Sequence, residues 1–167
     1  MRRKIDEQAF IAAYDEYAEA IFRYCYFRIY DRERARELMQ ETFTKAWEYL
    51  QKGNEIENLR AFLYKVAHNV CVNEAIRSKP YSLEEMQEKI GYDPVDEDIS
   101  SPERDAETAL LMTRLGELRP KDLEVLTLRY LNGLPVTEIA EASGEAPNTV
   151  TVRIRRALDE LRKKMET

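Results

Sequence analysis

The chain has 167 residues, 44% of them apolar and 35% charged, with only five glycines and six prolines. That length suits one ordinary domain or two small ones, and the composition favours helices over sheet. The formal net charge of −6 argues against a free-standing nucleic-acid binder, which is usually basic, and no apolar run approaches the length that spans a bilayer.

Three helices are predicted in the first half. Phe10, Tyr14, Tyr17, Ile21, Tyr24 and Arg28 recur at helical spacing behind Asp6, a plausible N-cap. Asp31 can cap a second helix carrying Ala35, Leu38, Met39, Thr42, Phe43, Ala46, Trp47 and Leu50, which Gly53 and Asn54 end. On it Glu37, Gln40 and Glu41 stand at i, i+3 and i+4, hence on one face; spacing alone equally describes a solvated charged face. A third helix carries Leu59, Phe62, Leu63, Val66, Ala67 and Val70 and runs to Arg77. Outside its apolar stripe it sets Arg60, Tyr64, Lys65, His68, Asn69, Asn73 and Arg77. Aromatic, amide and basic groups together suit unstacked bases and phosphates, though an ordinary polar face has the same composition.

The charge is unevenly spread. Residues 1–77 balance at 13 basic and 13 acidic side chains, residues 78–108 carry three against ten, and residues 109–167 carry ten against nine. The negative excess therefore lies in the middle, where Pro80, Gly91, Pro94, Pro102 and the run Asp93-Pro94-Val95-Asp96-Glu97-Asp98 give linker composition, with at most one short helix over 83–90. The expected organisation is all-α: two small helical domains, 1–77 and 105–167, joined by an acidic flexible linker over 78–104.

In the second half a helix near 105–118 is followed by one starting at Pro120 and lined by Leu123, Leu126, Thr127 and Tyr130, which Asn132-Gly133 stops. Val136-Thr137-Glu138-Ile139-Ala140-Glu141-Ala142-Ser143-Gly144-Glu145-Ala146-Pro147-Asn148-Thr149-Val150 then reads as a helix-turn-helix. Gly144 suits a turn with φ > 0, and Pro147 is tolerated at a helix start because its missing N–H had no intrahelical partner. In this motif the second helix usually enters the DNA major groove. Here that helix buries Val150, Ile154, Ala157, Leu158 and Leu161. It presents Asn148, Val152, Arg155 and Arg156 on the opposite face, with Thr149, Thr151 and Arg153 beside them. Asn and Arg pair bidentately with adenine and guanine edges, and Arg and Thr hold phosphates.

No catalytic constellation is readable, and no cofactor is expected. His68 with Cys71 and Cys25 lacks a fourth ligand and metal-like spacing, so no metal site is expected; the two cysteines make neither a disulfide framework nor a CxxC pair. Met1-Arg2-Arg3-Lys4 is followed by no apolar core, so no signal peptide is expected and the chain reads as cytoplasmic.

These pieces, in this order, resemble a bacterial sigma factor of the extracytoplasmic-function group, over nearly the whole chain. The Tyr14 to Arg28 helix, then Asp31-Arg32-Glu33-Arg34-Ala35-Arg36-Glu37-Leu38-Met39-Gln40-Glu41-Thr42-Phe43 with Ala46-Trp47, resembles the core-binding part of sigma region two. Asn58-Leu59-Arg60-Ala61-Phe62-Leu63-Tyr64-Lys65-Val66-Ala67-His68-Asn69 resembles its promoter-melting, minus-ten-reading helix. The stretch from Leu118 to Tyr130 and the helix-turn-helix resemble region four, which reads the minus-thirty-five element. The resemblance implies a non-enzymatic factor. Its Glu37, Gln40 and Glu41 would dock on the clamp helices of the largest subunit of core RNA polymerase, and region four on the flap of the second-largest subunit. Residues from Arg60 to Arg77 would contact the non-template strand of promoter DNA around a flipped base. It also implies an acidic linker threading the RNA-exit path, an anti-sigma factor as partner, and no membrane insertion. The family's Ser-x-Gly-Thr-Val-Lys-Ser-Arg-like start of the recognition helix reads Ala146-Pro147-Asn148-Thr149-Val150-Thr151-Val152-Arg153 here. With Thr151 and Val152 at the Lys and Ser positions, fewer phosphate contacts are implied. The rival readings are a stand-alone helix-turn-helix regulator and a sigma-like protein that only binds polymerase or an anti-sigma factor.

Overall fold

The computed structural model describes residues 4–77 and 102–167. The acidic linker expected over 78–104 falls almost wholly outside the described residues, and the short helix expected over 83–90 does so entirely.

Helix α1 (Glu7–Ile29) starts where the Asp6 carboxylate accepts the Ala9 N–H at 2.8 Å, satisfying one of the donors that a helix start leaves open. It ends on Tyr30, held at φ 55° with its N–H on the Tyr26 carbonyl. Asp31 follows at once and caps α2 (Arg32–Gln51) through the Arg34 N–H. With two residues between them, α1 and α2 fold back on each other as a hairpin. Asn58 caps α3 (Leu59–Arg77) through the Ala61 N–H at 3.1 Å, and α3 packs against both earlier helices. Ile21, Leu38, Leu63 and Ala67 are fully buried between the three. Phe10 and Tyr14 close one end against Trp47 and Phe43, with ring centroids 5.0 and 4.8 Å apart.

The second half begins with α4 (Pro102–Gly116) and α5 (Pro120–Leu126), where Pro120 takes the first-turn position that needs no N–H. A π turn, Thr127–Leu131, continues α5, and the Asn132 N–H reaches back five residues to the Thr127 carbonyl. This corrects one expectation. The extra residue in the turn rotates the face, so Tyr130 is exposed while Leu128 takes its place in the core. The helix-turn-helix follows as α6 (Val136–Ser143) and α7 (Pro147–Glu166). Gly144 between them has φ 73° and donates to the Ala140 carbonyl at 2.9 Å. Pro147 opens α7, and Val150 and Ala140 are buried in the same core.

The two halves do not stand apart. Helix α6 lies against α3, and the π turn touches both α1 and α6. Buried apolar residues run without a break from Ile21 and Leu63 through Leu128 and Ile139 to Val150 and Ala157. Cys25 and Cys71, distant in sequence, meet inside this core. The hydrogen bond with Cys71, together with burial, pushes the Cys25 thiol well above its ordinary range, which leaves it inert as a nucleophile.

One continuous core predicts one unfolding transition. Leu38→Ala in the first half and Leu134→Ala in the second, both fully buried, should each lower stability by about 2–5 kcal/mol. In urea each should shift the same single midpoint with little change in slope. Two separable transitions, each answering to one substitution, would mean that the halves fold independently.

Candidate nucleic-acid interface

The polar surface of α3 divides into two rows, each with a spacing of four residues, so that each forms one line along the helix. Lys65, Asn69, Asn73 and Arg77 are all exposed to solvent. The other row, Arg60, Tyr64 and His68, is turned about 100° away and faces the second half of the chain. Tyr64 is therefore a correction: it is 2% exposed, edge-on to Tyr24 with centroids 5.9 Å apart, and burial pushes its phenol up to about 12. It is a core residue, not an exposed ring on which a base can stack.

Arg60 is half-buried and engaged. Its Nε and Nη2 donate to the two carboxylate oxygens of Glu138 on α6 at 2.8 and 2.9 Å, and the Asn58 amide donates to the same carboxylate at 2.9 Å. These hydrogen bonds, those of Arg60 above all, hold the Glu138 carboxyl below the usual carboxylate range against a smaller opposing effect of burial.

His68 leads to the second contact between the halves. Its Nδ1 meets Glu124 of α5, which also accepts from the Tyr24 hydroxyl at 2.5 Å and from Arg28 Nη1 at 3.0 Å. Glu124 is 7% exposed. Burial pushes its carboxyl up, but the His68 hydrogen bond, the charges of Arg28 and His68 and the Tyr24 hydrogen bond outweigh it, and the net direction is down. Asn132 adds a third link, donating to the Ala20 carbonyl at 3.1 Å.

The remaining expected site residues lie on open surface. On α2, Glu37 and Gln40 are exposed and Glu41 half-exposed, with Glu37 paired to Arg34 and Glu41 to Lys45 at i, i+3 and i, i+4. Arg34 in turn grips Glu74 of α3 with two hydrogen bonds, which fixes this face of α2 to the bundle. On α7, Asn148, Thr149, Thr151, Val152, Arg155 and Arg156 are all exposed, and Val152 shows 49% of its surface. Arg153 differs from them. It is half-buried and donates twice to Glu145 in the turn of the motif, at 2.8 and 3.2 Å. Thr151 donates to the Pro147 carbonyl.

Asn58, Glu124 and Glu138 were not singled out in the sequence. One signal was present: Arg28 closes an otherwise apolar row of α1, and a charge there needs a partner of opposite sign.

Residues 13–79 match the family model for Sigma-70 region 2, and residues 108–161 match that for Sigma-70, region 4. RNA polymerase sigma factor YlaC of Bacillus subtilis (strain 168) is 31% identical over 157 residues, covering 91% of this chain and 89% of YlaC. The chain belongs to the sigma-70 family, in its extracytoplasmic-function group. ECF RNA polymerase sigma factor SigW of the same organism is 28% identical over 98% of this chain and 92% of its own length. Two solved structures share the fold of this sigma factor at 20% identity. They are the sigma factor RpoE with the anti-sigma factor NepR from Bartonella quintana (TM-score 0.72, 96% of this chain, 98% of that one) and CnrH with the cytosolic domain of CnrY (TM-score 0.70, 96% and 90%). The chain is thus a polymerase-binding factor that directs promoter-specific initiation of transcription.

Replacing Glu124 by Ala would leave the Arg28 charge and the Tyr24 hydroxyl buried without their acceptor. For this mostly buried pair the expected cost is about 3–5 kcal/mol, read as a lowered urea midpoint and a larger radius of gyration in solution scattering. An unchanged radius with an unchanged midpoint would show that Glu124 does not tie the halves together.

Glu124 and Glu138, and Glu74 through Arg34, all have carboxyls held below their ordinary value of 4.5. Glu124 and Glu138 lose their partners when the halves part, so the closed fold binds fewer protons than the open chain, while Glu74, paired within the first half, distinguishes only the folded from the unfolded chain. Their stabilisation is complete above pH 4.5 and is lost as pH falls through the lowered values. An acid titration followed by circular dichroism and scattering should show opening only below about pH 4.5. Opening that is already complete between pH 5 and 6 would contradict this assignment.

Proposed function

We propose that the three open surfaces divide the work of initiation. Glu37, Gln40 and Glu41 on α2 dock on the clamp helices of the largest polymerase subunit. The α3 row Lys65, Asn69, Asn73 and Arg77 contacts the non-template strand at the minus-ten element. The outer face of α7, Asn148, Thr149, Thr151, Val152, Arg155 and Arg156, enters the major groove at the minus-thirty-five element, while the second half also meets the flap of the second-largest subunit. Residues 1–77 serve as region two and 105–167 as region four, and 78–104 is the acidic connection that follows the RNA-exit path.

The observation that carries this reading is the exposed α3 row. Two amides and two cations at one helical spacing, with nothing of the second half over them, offer phosphate contacts and donors and acceptors for base edges. Arg155 and Arg156 supply the bidentate geometry that reads guanine or grips phosphate, and Val152 offers an apolar contact for a thymine methyl. Arg153, tied to Glu145, orients the turn and adds little free charge.

The factor performs no chemistry of its own and works in the cytoplasm. Among the described residues no helix is long and apolar enough to cross a membrane. A protein anti-sigma factor is a further partner, as NepR is for RpoE.

In vitro transcription with core polymerase and a pool of random promoters tests the reading as a whole. The wild-type chain should select templates that share two spaced elements. Glu41→Lys should weaken core binding about tenfold or more, ~1.4 kcal/mol. Arg155→Ala with Arg156→Ala should lower output from the selected promoters while leaving core binding intact, at about 1–3 kcal/mol per lost bidentate contact. A silent Glu41→Lys would favour a stand-alone regulator, and silent arginine changes would favour a protein that never reads the upstream element.

A further inference from the structure

Arg60 stands on the helix that carries the exposed α3 row, yet in this structure its guanidinium is filled. Glu138 gives it both carboxylate oxygens, at 2.8 and 2.9 Å. The Asn58 amide adds a third donor at 2.9 Å, and it is aimed by its own helix: the Asn58 side-chain oxygen accepts the Ala61 N–H, which leaves the NH2 group facing outward. Three donors in a fork on a rigid helix start make a built oxyanion site, and the planar guanidinium accepts a carboxylate or a phosphate with the same geometry. The ligand it holds now comes from the other half of the same chain, on a side chain only 12% exposed.

Glu138 is also suited to letting go. It lies in the first turn of α6, where the helix dipole and open backbone N–H groups favour a carboxylate. Separation of the halves would free Arg60 and Asn58 without stranding an uncompensated acid.

We propose that Glu138 is an internal competitor for nucleic acid: in the closed chain its carboxylate occupies the Arg60–Asn58 fork, and on opening a backbone phosphate of single-stranded promoter DNA takes its place. This rests on the minus-ten reading of α3 given above and adds that the binding surface is blocked in cis by the helix-turn-helix. The exchange is one oxyanion for another and forms no covalent bond. It accounts for the division of α3 into a row that faces solvent and a row that faces the second half.

The test uses the full chain and a fluorescein-labelled, random-sequence, 20-nucleotide single-stranded DNA, with binding followed by anisotropy across a range of salt concentrations. Glu138→Gln should tighten binding about threefold to tenfold and steepen the salt dependence by about 0.7, the increment for one further phosphate contact on a single strand. Glu138→Ala, checked for unchanged helical content, should do the same. Arg60→Ala should have little effect in the wild-type chain and should abolish the whole gain in the Glu138→Gln background. If Glu138→Gln and Glu138→Ala leave affinity unchanged, or if their gain survives Arg60→Ala and so reflects net charge alone, the competition does not exist. If Arg60→Ala weakens binding equally in both backgrounds, Arg60 contacts DNA, as the resemblance to region two implies, but Glu138 does not block it. If Arg60→Ala is silent in both, the competition and the assignment of Arg60 to DNA fail together.

Discussion

The arrangement of this sigma factor turns on one buried carboxylate. Glu124 belongs to the second half, but Tyr24, Arg28 and His68, the groups that satisfy it, all belong to the first. Dehydrating an acid and a guanidinium costs several kcal/mol per ion, and their attraction largely offsets that cost without leaving much surplus. The strength of the association therefore comes from the apolar surface that runs unbroken through both halves. The contribution of the Glu124 cluster is geometric. Any other register would leave Arg28 and Glu124 buried and apart, so α5 can seat on α1 and α3 in one way. That same seating brings α6 onto α3 and sets Glu138 against Arg60.

Such an interface is specific and reversible at once. When the halves part, Glu124, Arg28 and Glu138 regain water, which lowers the cost of opening relative to a wholly apolar contact. If both halves read a two-part promoter together, as proposed, the fraction of open chains enters directly into promoter affinity. If opening costs about 2.7 kcal/mol, only about one chain in a hundred is competent and apparent affinity falls about a hundredfold. The proposed docking of polymerase on α2 would not be taxed in this way, because Glu37 and Gln40 are exposed and Glu41 half-exposed in the closed form. Docking first and opening second is the order that the surfaces permit.

What could be read from the sequence follows the range of the interactions. The Asp6 and Asp31 caps, the left-handed Gly144 and the Pro147 helix start depend on neighbours a few residues away, and each is where the local rules put it. Tyr130 escaped because one added residue in the π turn changes the helical phase, and a period of 3.6 carries no sign of it. Tyr64 escaped for a different reason. Periodicity gives the direction of the first apolar stripe, but not a second buried face made when another part of the chain covers the helix. Arg28 closes an otherwise apolar row, which marks it as needing a partner. That the partner is Glu124, 96 positions away, is a property of the folded chain alone. Asn58 and Glu138 carried no such mark, since each is an unremarkable choice at a helix start.

The recognition helix shows the same economy of free charge as the Arg60 fork. Thr151 and Val152 add no charge at the start of the helix, and the next arginine, Arg153, donates from Nε and Nη2 to Glu145. Glu145 lies in the turn between α6 and α7, so this pair braces the turn and not the groove. The exposed cations on this face are Arg155 and Arg156, just over two turns into the helix, and Lys163 about two turns further on. Phosphate contacts supply most of the affinity of a free DNA binder and all of its salt dependence. If this face reads DNA as proposed, a head with few such contacts would discriminate between sequences through Asn148, Val152 and the two arginines while holding any duplex weakly. Its occupancy of a promoter would then depend on polymerase holding it in place, which reconciles an acidic chain with a role in reading DNA.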